Sequence, residues 1–153
     1  MANFVFNIAK GRVVEYVNRV DTDDPSASVL ILVPCSASDT EANAQDADNL
    51  TAALATAINE QASGGWVRKA LTQADLTFPA PDDANDRYAV AVPAVTWTTP
   101  TTGNNTTGLL VCYSATGFPG TDTLTIPLTH HDFAVTADGN DVVLNAGDFF
   151  RAS

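Results

Sequence analysis

Between Ser28 and Pro34 the chain runs Val29-Leu30-Ile31-Leu32-Val33, five consecutive apolar residues with no polar position among them. A half-exposed strand alternates apolar and polar side chains. An unbroken run rich in β-branched types and bounded by turn residues suits instead a strand buried on both faces. It is far too short to cross a bilayer, which takes ~20 apolar residues. The run therefore marks the centre of a sheet.

Further strands are expected where the pattern moves toward a period of two. WVRKALTQADLTF begins at Trp66 and alternates imperfectly, DRYAVAVPAVTW sets Tyr88, Val90 and Val92 on one face until Pro93 disturbs the register, and GLLVCY is apolar on both sides. LTIPLT and FAVT follow, then ADGN, whose Asp138-Gly139 pair predicts a two-residue hairpin into VVL. Between these strands TTPTTGNNTTG (98–108) is polar, uncharged and interrupted by Gly and Pro, the composition of an exposed loop. Residues 46–60, DADNLTAALATAINE, put Leu50, Ala53, Leu54, Ala57 and Ile58 on one stripe, with Asp46 or Asp48 as N-cap and Gly64-Gly65 beyond the end. That stripe predicts one helix lying against a sheet. Near the N-terminus Val13, Val14, Val17 and Val20 predict a short helix after an extended lead-in, closed by Pro25.

Several short strands with one clear helix predict a mainly β (α+β) protein, a β-sandwich or open barrel of short antiparallel strands. A chain of 153 residues suffices for a single core. The expected division is an N-terminal arm with its short helix over 1–24 and a single β-rich domain over 25–153.

Charge narrows the partners. Residues 1–20 carry Lys10, Arg12 and Arg19 against Glu15, net +2, while the remainder carries four cations against seventeen acids, net −13, giving −11 for the whole chain. An acidic body argues against nucleic acid, which is bound through Lys and Arg. With no long apolar run and no basic segment before MANFVF, neither a membrane span nor a signal peptide is expected.

The residues that could carry chemistry are few. His130 and His131 are adjacent, so in a strand they point to opposite faces and cannot chelate one ion; alternation sends Asp132 with His130. With no third histidine and no paired cysteines, a zinc site lacks its ligands, and DTDD (21–24) and DDAND (82–86) do not fit an EF-hand loop. No metal or cofactor is expected. GFPG lacks the context of a phosphate cradle, no G-x-S-x-G elbow is present, and no enzymatic activity is expected. Cys35 and Cys112 lie in apolar surroundings and are expected as buried free thiols. Trp66, Tyr88, Trp97, Tyr113 and Phe118 could form a sugar platform only if exposed, and aromatics in strand patterns are usually core.

From about residue 64 onward the chain resembles a family of small tailed-bacteriophage virion proteins. The resemblance is carried by GGWVRKALTQADLTF, DDANDRYAVAVPAVTW, GLLVCY, LTIPLTHHDFAVTADGNDVVL and GDFF in that order, and the opening MANFVFNIAKGRVVEYVNRV is similar to the N-terminus of a phage subgroup. It is loose over 35–60. Proteins of this kind are β-sandwich virion components, so the resemblance implies a structural role on the outer capsid surface after synthesis in the host cytoplasm. A cement or decoration protein is the leading expectation: a homotrimer bridging subunits of the major capsid protein, with a tail, fibre or baseplate component, with or without host-surface glycan binding, as the alternative. On the cement expectation residues 1–20 grip the shell, with Lys10, Arg12 and Arg19 facing carboxylates and Phe4, Phe6, Val13 and Tyr16 as apolar anchors.

Overall fold

The computed structural model describes residues 3–76 and 81–152. The end of WVRKALTQADLTF, expected as a strand, lies outside the described residues. The protein is mainly β, and every strand pair among the described residues is antiparallel. The apolar run becomes β2, Val29–Ala37, in which the first seven residues are buried. One flank of β2 pairs with β7, Thr106–Ser114, from Val29 opposite Ser114 to Cys35 opposite Gly108. The other flank is shared by two short strands, β3 (Asn59–Glu60) and β4 (Lys69–Leu71). Beyond β7 come β8, Ile126–Val135, and the edge strand β1, Phe4–Val5.

Pro34 lies inside β2 rather than at its end, and the sheet tolerates it for a local reason. Its carbonyl accepts the Gln61 N–H at 2.8 Å on the β3 and β4 flank, so its missing N–H falls on that flank too. There it occupies the gap between Leu30–Leu32, paired with β4, and Cys35, paired with β3, where no ladder bond is lost.

Period-two geometry divides β2 between two cores. Leu30 and Leu32 point into one, with Leu109, Val111 and Tyr113 of β7; Val29, Ile31, Val33 and Cys35 point into the other, with Leu110 and Cys112. The first core is covered by helix α1 (Val13–Asp21) and by two ribbons, β5 (Tyr88–Val92) with β10 (Gly147–Ala152) and β6 (Val95–Trp97) with β9 (Val142–Leu144). Trp66 and Trp97 fill its middle with ring centroids 5.3 Å apart, and their indole N–H groups donate to the carbonyls of Asn104 and Val67 at 2.6 and 2.8 Å. Buried indoles thus keep their hydrogen bonds. The second core is closed by Phe4, Phe6 and two short helices, α2 (Glu41–Ala44) and α3 (Leu50–Leu54).

Three expectations need correction. The helix expected over 46–60 is only the five residues of α3, capped by the Asn49 side chain, which accepts the Ala52 N–H at 2.9 Å. It stops where polar side chains, one local and one distant in sequence, capture the backbone. The Thr56 hydroxyl donates to the Ala53 carbonyl at 2.7 Å and the Asp39 carboxylate takes the Ala57 N–H at 3.1 Å, so Ile58 reaches the core from a turn and Asn59–Glu60 joins β2. At 138–140 the chain does turn, with the Asp138 carboxylate accepting the Asn140 N–H at 3.0 Å, but no hairpin with β8 forms. β9 crosses instead to β6, where Val142 and Leu144 pack on the first core.

The third correction concerns the arm expected over 1–24, whose described residues, 3–24, do not stand apart from the body. Phe4 and Val5 pair with His130 and Thr129, and Val13, Tyr16, Val17 and Val20 are core residues of the same body. Their apolar face is wide enough to demand burial, and the sheet supplies the partner.

Because β2 is packed on both sides, truncating it should cost far more than truncating an exposed strand residue. Ile31→Ala is expected to lower unfolding free energy by about 2–5 kcal/mol, and Val143→Ala, at an exposed position, by less than about 0.5 kcal/mol, read from urea midpoints at constant slope.

Candidate functional site

The expected gripping surface loses its apolar half on folding. Phe4, Phe6, Val13 and Tyr16 retain 6, 0, 1 and 4% of their exposure, so none is available as an anchor. Lys10, Arg12 and Arg19 stay on the surface, where Lys10 donates to the Gln45 side chain at 3.3 Å. Arg12 and Arg19 both pair with Glu15, at 3.0 and 2.9 Å, and the Arg12 guanidinium sits 4.9 Å above the Tyr16 ring. The Arg12 and Arg19 hydrogen bonds hold the Glu15 carboxyl below its usual range, and that carboxylate in turn raises both guanidinium pKa values. On the exposed face of α1 two guanidinium groups thus share one carboxylate, leaving that cluster with a net charge of +1.

The two histidines part to opposite faces by alternation, opposite Leu110 and Leu109, but the alternation does not extend back through β8 to Leu128. Val111 pairs with Thr129 and Cys112 with Pro127, which leaves Leu128 as an extra residue in β8. This bulge sends Leu128 to the first core although it shares parity with His130. His130 is fully buried, stacked on Phe4 with centroids 5.0 Å apart, and its Nε2 is 3.1 Å from the Ser38 hydroxyl, itself 3.0 Å from the Thr107 hydroxyl. A Cβ at Gly108 would lie 2.6 Å from His130 Nε2, so glycine is needed for this close approach. The histidine–serine contact joins the end of β2 to β7 and β8. Ser38 escaped the sequence reading because it is 92 residues from His130.

His131 faces the other way, its Nε2 2.8 Å from the Thr129 hydroxyl and its ring edge-on to Phe149 at 6.4 Å. Burial, with a smaller contribution from His130, pushes its pKa from 6.5 down to about 4. Cys35 and Cys112 are buried free thiols; desolvation pushes Cys35 up to about 12 and Cys112 higher still. Both sit in the second core as small apolar groups. Among the described residues no group of three His, Cys, Asp or Glu side chains is placed to hold a metal ion. No helix among them is long and apolar enough to cross a membrane.

The strongest polar assembly is one that sequence reasoning missed. Arg68, whose side chain is 16% exposed, donates to both Glu60 oxygens at 2.7 and 2.6 Å and to both Asp122 oxygens at 2.5 and 3.0 Å. Two planar forks are satisfied by one guanidinium, which lysine cannot do. The Glu60 and Asp122 hydrogen bonds raise the Arg68 pKa, and Arg68 holds Asp122 below the usual carboxylate range. Asp122 belongs to the 115–125 segment joining β7 to β8, so the clamp ties that loop to the β3 and β4 flank.

Among the described residues the large apolar side chains left exposed are Val67, Phe118, Leu124 and Val143. Phe118 and Leu124 share the β7–β8 loop. Of the five aromatics considered for a sugar platform, Trp66, Trp97 and Tyr113 are buried, Tyr88 is half-buried, and Phe118 alone is exposed. No protein-family model, no curated protein and no solved structure matches this chain.

The low pKa of His131 carries a sign. Between about pH 6.5 and 4 the unfolded chain takes up a proton that the folded chain refuses, so stability should fall as pH drops through that window, by about 3 kcal/mol in total. In His131→Gln the same acid titration, followed by urea unfolding at pH 7.0 and 4.5, should be markedly flatter. Arg68→Ala should cost about 2–4 kcal/mol by leaving two carboxylates facing each other, with Arg68→Lys recovering less than half, measured by denaturant unfolding at neutral pH.

Proposed function

We propose that this chain is a structural component of a tailed-phage virion, a cement protein that strengthens the head by adding contact area between neighbouring subunits of the major capsid protein. The observation that carries the reading is the ordered set of blocks from GGWVRKALTQADLTF to GDFF, which resembles such proteins along most of the chain. The geometry supports it in one further respect. His130 is fully buried, His131 is half-buried with its ring against Phe149, and both thiols are buried, while a braced loop holds apolar side chains outward. That is equipment for contact rather than for proton or group transfer.

The burial of Phe4, Phe6, Val13 and Tyr16 changes how the reading is tested. Removing the N-terminal segment would strip covers from both cores, so loss of binding after truncation would report unfolding. Intact protein should instead be mixed with isolated empty heads lacking it and with capsid-free tails, and each mixture sedimented. Retention on heads, with a higher temperature of head disassembly, is the expected outcome. Retention on tails alone would replace cement with a tail component, and retention on neither would overturn the virion assignment.

A further inference from the structure

We infer that the β7–β8 loop is the docking element of this protein, and that its partner is a protein surface bearing an apolar pocket rimmed by lysine or arginine. The inference rests on the virion reading for the identity of that surface, a site on the shell subunit, but its chemistry follows from the loop itself.

Phe118 is 51% exposed and Leu124 61%, in one short loop. Two bulky apolar groups held in water this way are a cost unless something covers them. The loop holding them is fastened along its length. Asp122 is gripped by Arg68; its carbonyl and that of Thr125 accept the N–H groups of Thr51 and Leu50 at 3.3 and 2.8 Å. Within the loop the Ser114 hydroxyl donates to the Gly117 carbonyl at 2.9 Å and the Leu124 N–H to the Thr121 carbonyl at 2.8 Å. A loop already ordered loses little conformational freedom on association, which favours contact through it over contact through a floppy segment.

Charge identifies the occupant. A Cβ at Gly117 would lie 3.3 Å from the Ala27 carbonyl oxygen, so the loop abuts the connection between α1 and β2. That connection carries Asp23 and Asp24 directly after Asp21 at the end of α1, with the Asp23 carboxylate holding the Ala27 N–H at 2.9 Å. Among the described residues no ion pair engages these three acids. Arg68, the cation that reaches this loop, is already shared between Glu60 and Asp122. Phe118, next to Gly117, therefore stands beside acids that make no ion pair among the described residues, which matches a basic rim and repels phosphate-rich surfaces and the same face of a second copy.

The test uses the intact chain and its substitutions against empty heads and capsid-free tails. Phe118→Ser is expected to weaken retention by ~30-fold or more, as loss of a central aromatic contact does, while leaving the thermal midpoint near that of the parent because the side chain is half in water. Asp24→Asn should weaken binding several-fold and reduce its sensitivity to salt between about 50 and 200 mM. Arg151→Gln, whose guanidinium is paired with Asp148 at 2.6 Å on β10, should leave binding unchanged. If Phe118→Ser and Asp24→Asn bind heads as tightly as the parent, the docking assignment is overturned and the virion reading stands. Loss of binding in Phe118→Ser on tails rather than heads upholds the loop and overturns cement. Retention of the parent chain on neither particle overturns both.

Discussion

Burial of β2 on both faces is the constraint on which the rest of the structure depends. A strand whose odd and even side chains are both apolar cannot lie at a solvent-facing sheet, because one of its two rows would stay in water. The chain must therefore build two covers, and it does so with material from both ends. The N-terminal segment serves each face in turn: Phe4 and Phe6 close the second core, and nine residues after Arg12 wind into α1 over the first. The C-terminal β10 returns to pair with β5 over the first core. Both ends of the described chain are thus committed to covering the sheet.

What could be read locally was read well. Val29–Val33 and GLLVCY are adjacent antiparallel strands buried on both faces, and the two cysteines remain thiols. The failures share one physical origin, which is that tertiary groups outbid a local pattern. The stripe from Leu50 to Ile58 has helical spacing, and its principal members are indeed buried, but the Asp39 carboxylate 18 residues upstream takes the Ala57 N–H and ends the helix. The Asp138-Gly139 turn is real, yet packing of Val142 and Leu144 over the first core directs the next strand to β6. In the same way the apolar stripe of α1 was legible as a stripe but not as one side of a core, since periodicity reports a face and not what covers it.

The candidate site was harder to see because its parts are distant in sequence. Arg68 meets Asp122 across 54 residues, and no spacing rule connects the two. The bulge at Leu128 was equally hidden: LTIPLTHHDF alternates cleanly on paper, and only pairing with β7 inserts the extra residue that parts Leu128 from His130. The consequence for chemistry is concrete. His131 is turned into apolar surroundings that keep it neutral, and His130 is clamped between Phe4 and the end of β2. Side chains whose residue types suggest proton transfer have become packing elements.

Folding also redistributes the meaning of the charge. By composition the first twenty residues are the cationic part of an acidic chain, and a basic head suggests an acidic partner. In three dimensions Glu15 stands one helical turn from Arg12 and from Arg19 and binds both, a spacing of three and four residues that a helix alone provides. Glu15 thereby offsets one of the two guanidinium charges. At the C-terminal end of the same helix Asp21, and in the connection after it Asp23 and Asp24, make no ion pair among the described residues, and that connection lies against the loop that exposes Phe118. Unpaired acidic charge therefore stands beside an exposed apolar side chain, which the composition of the first twenty residues does not suggest.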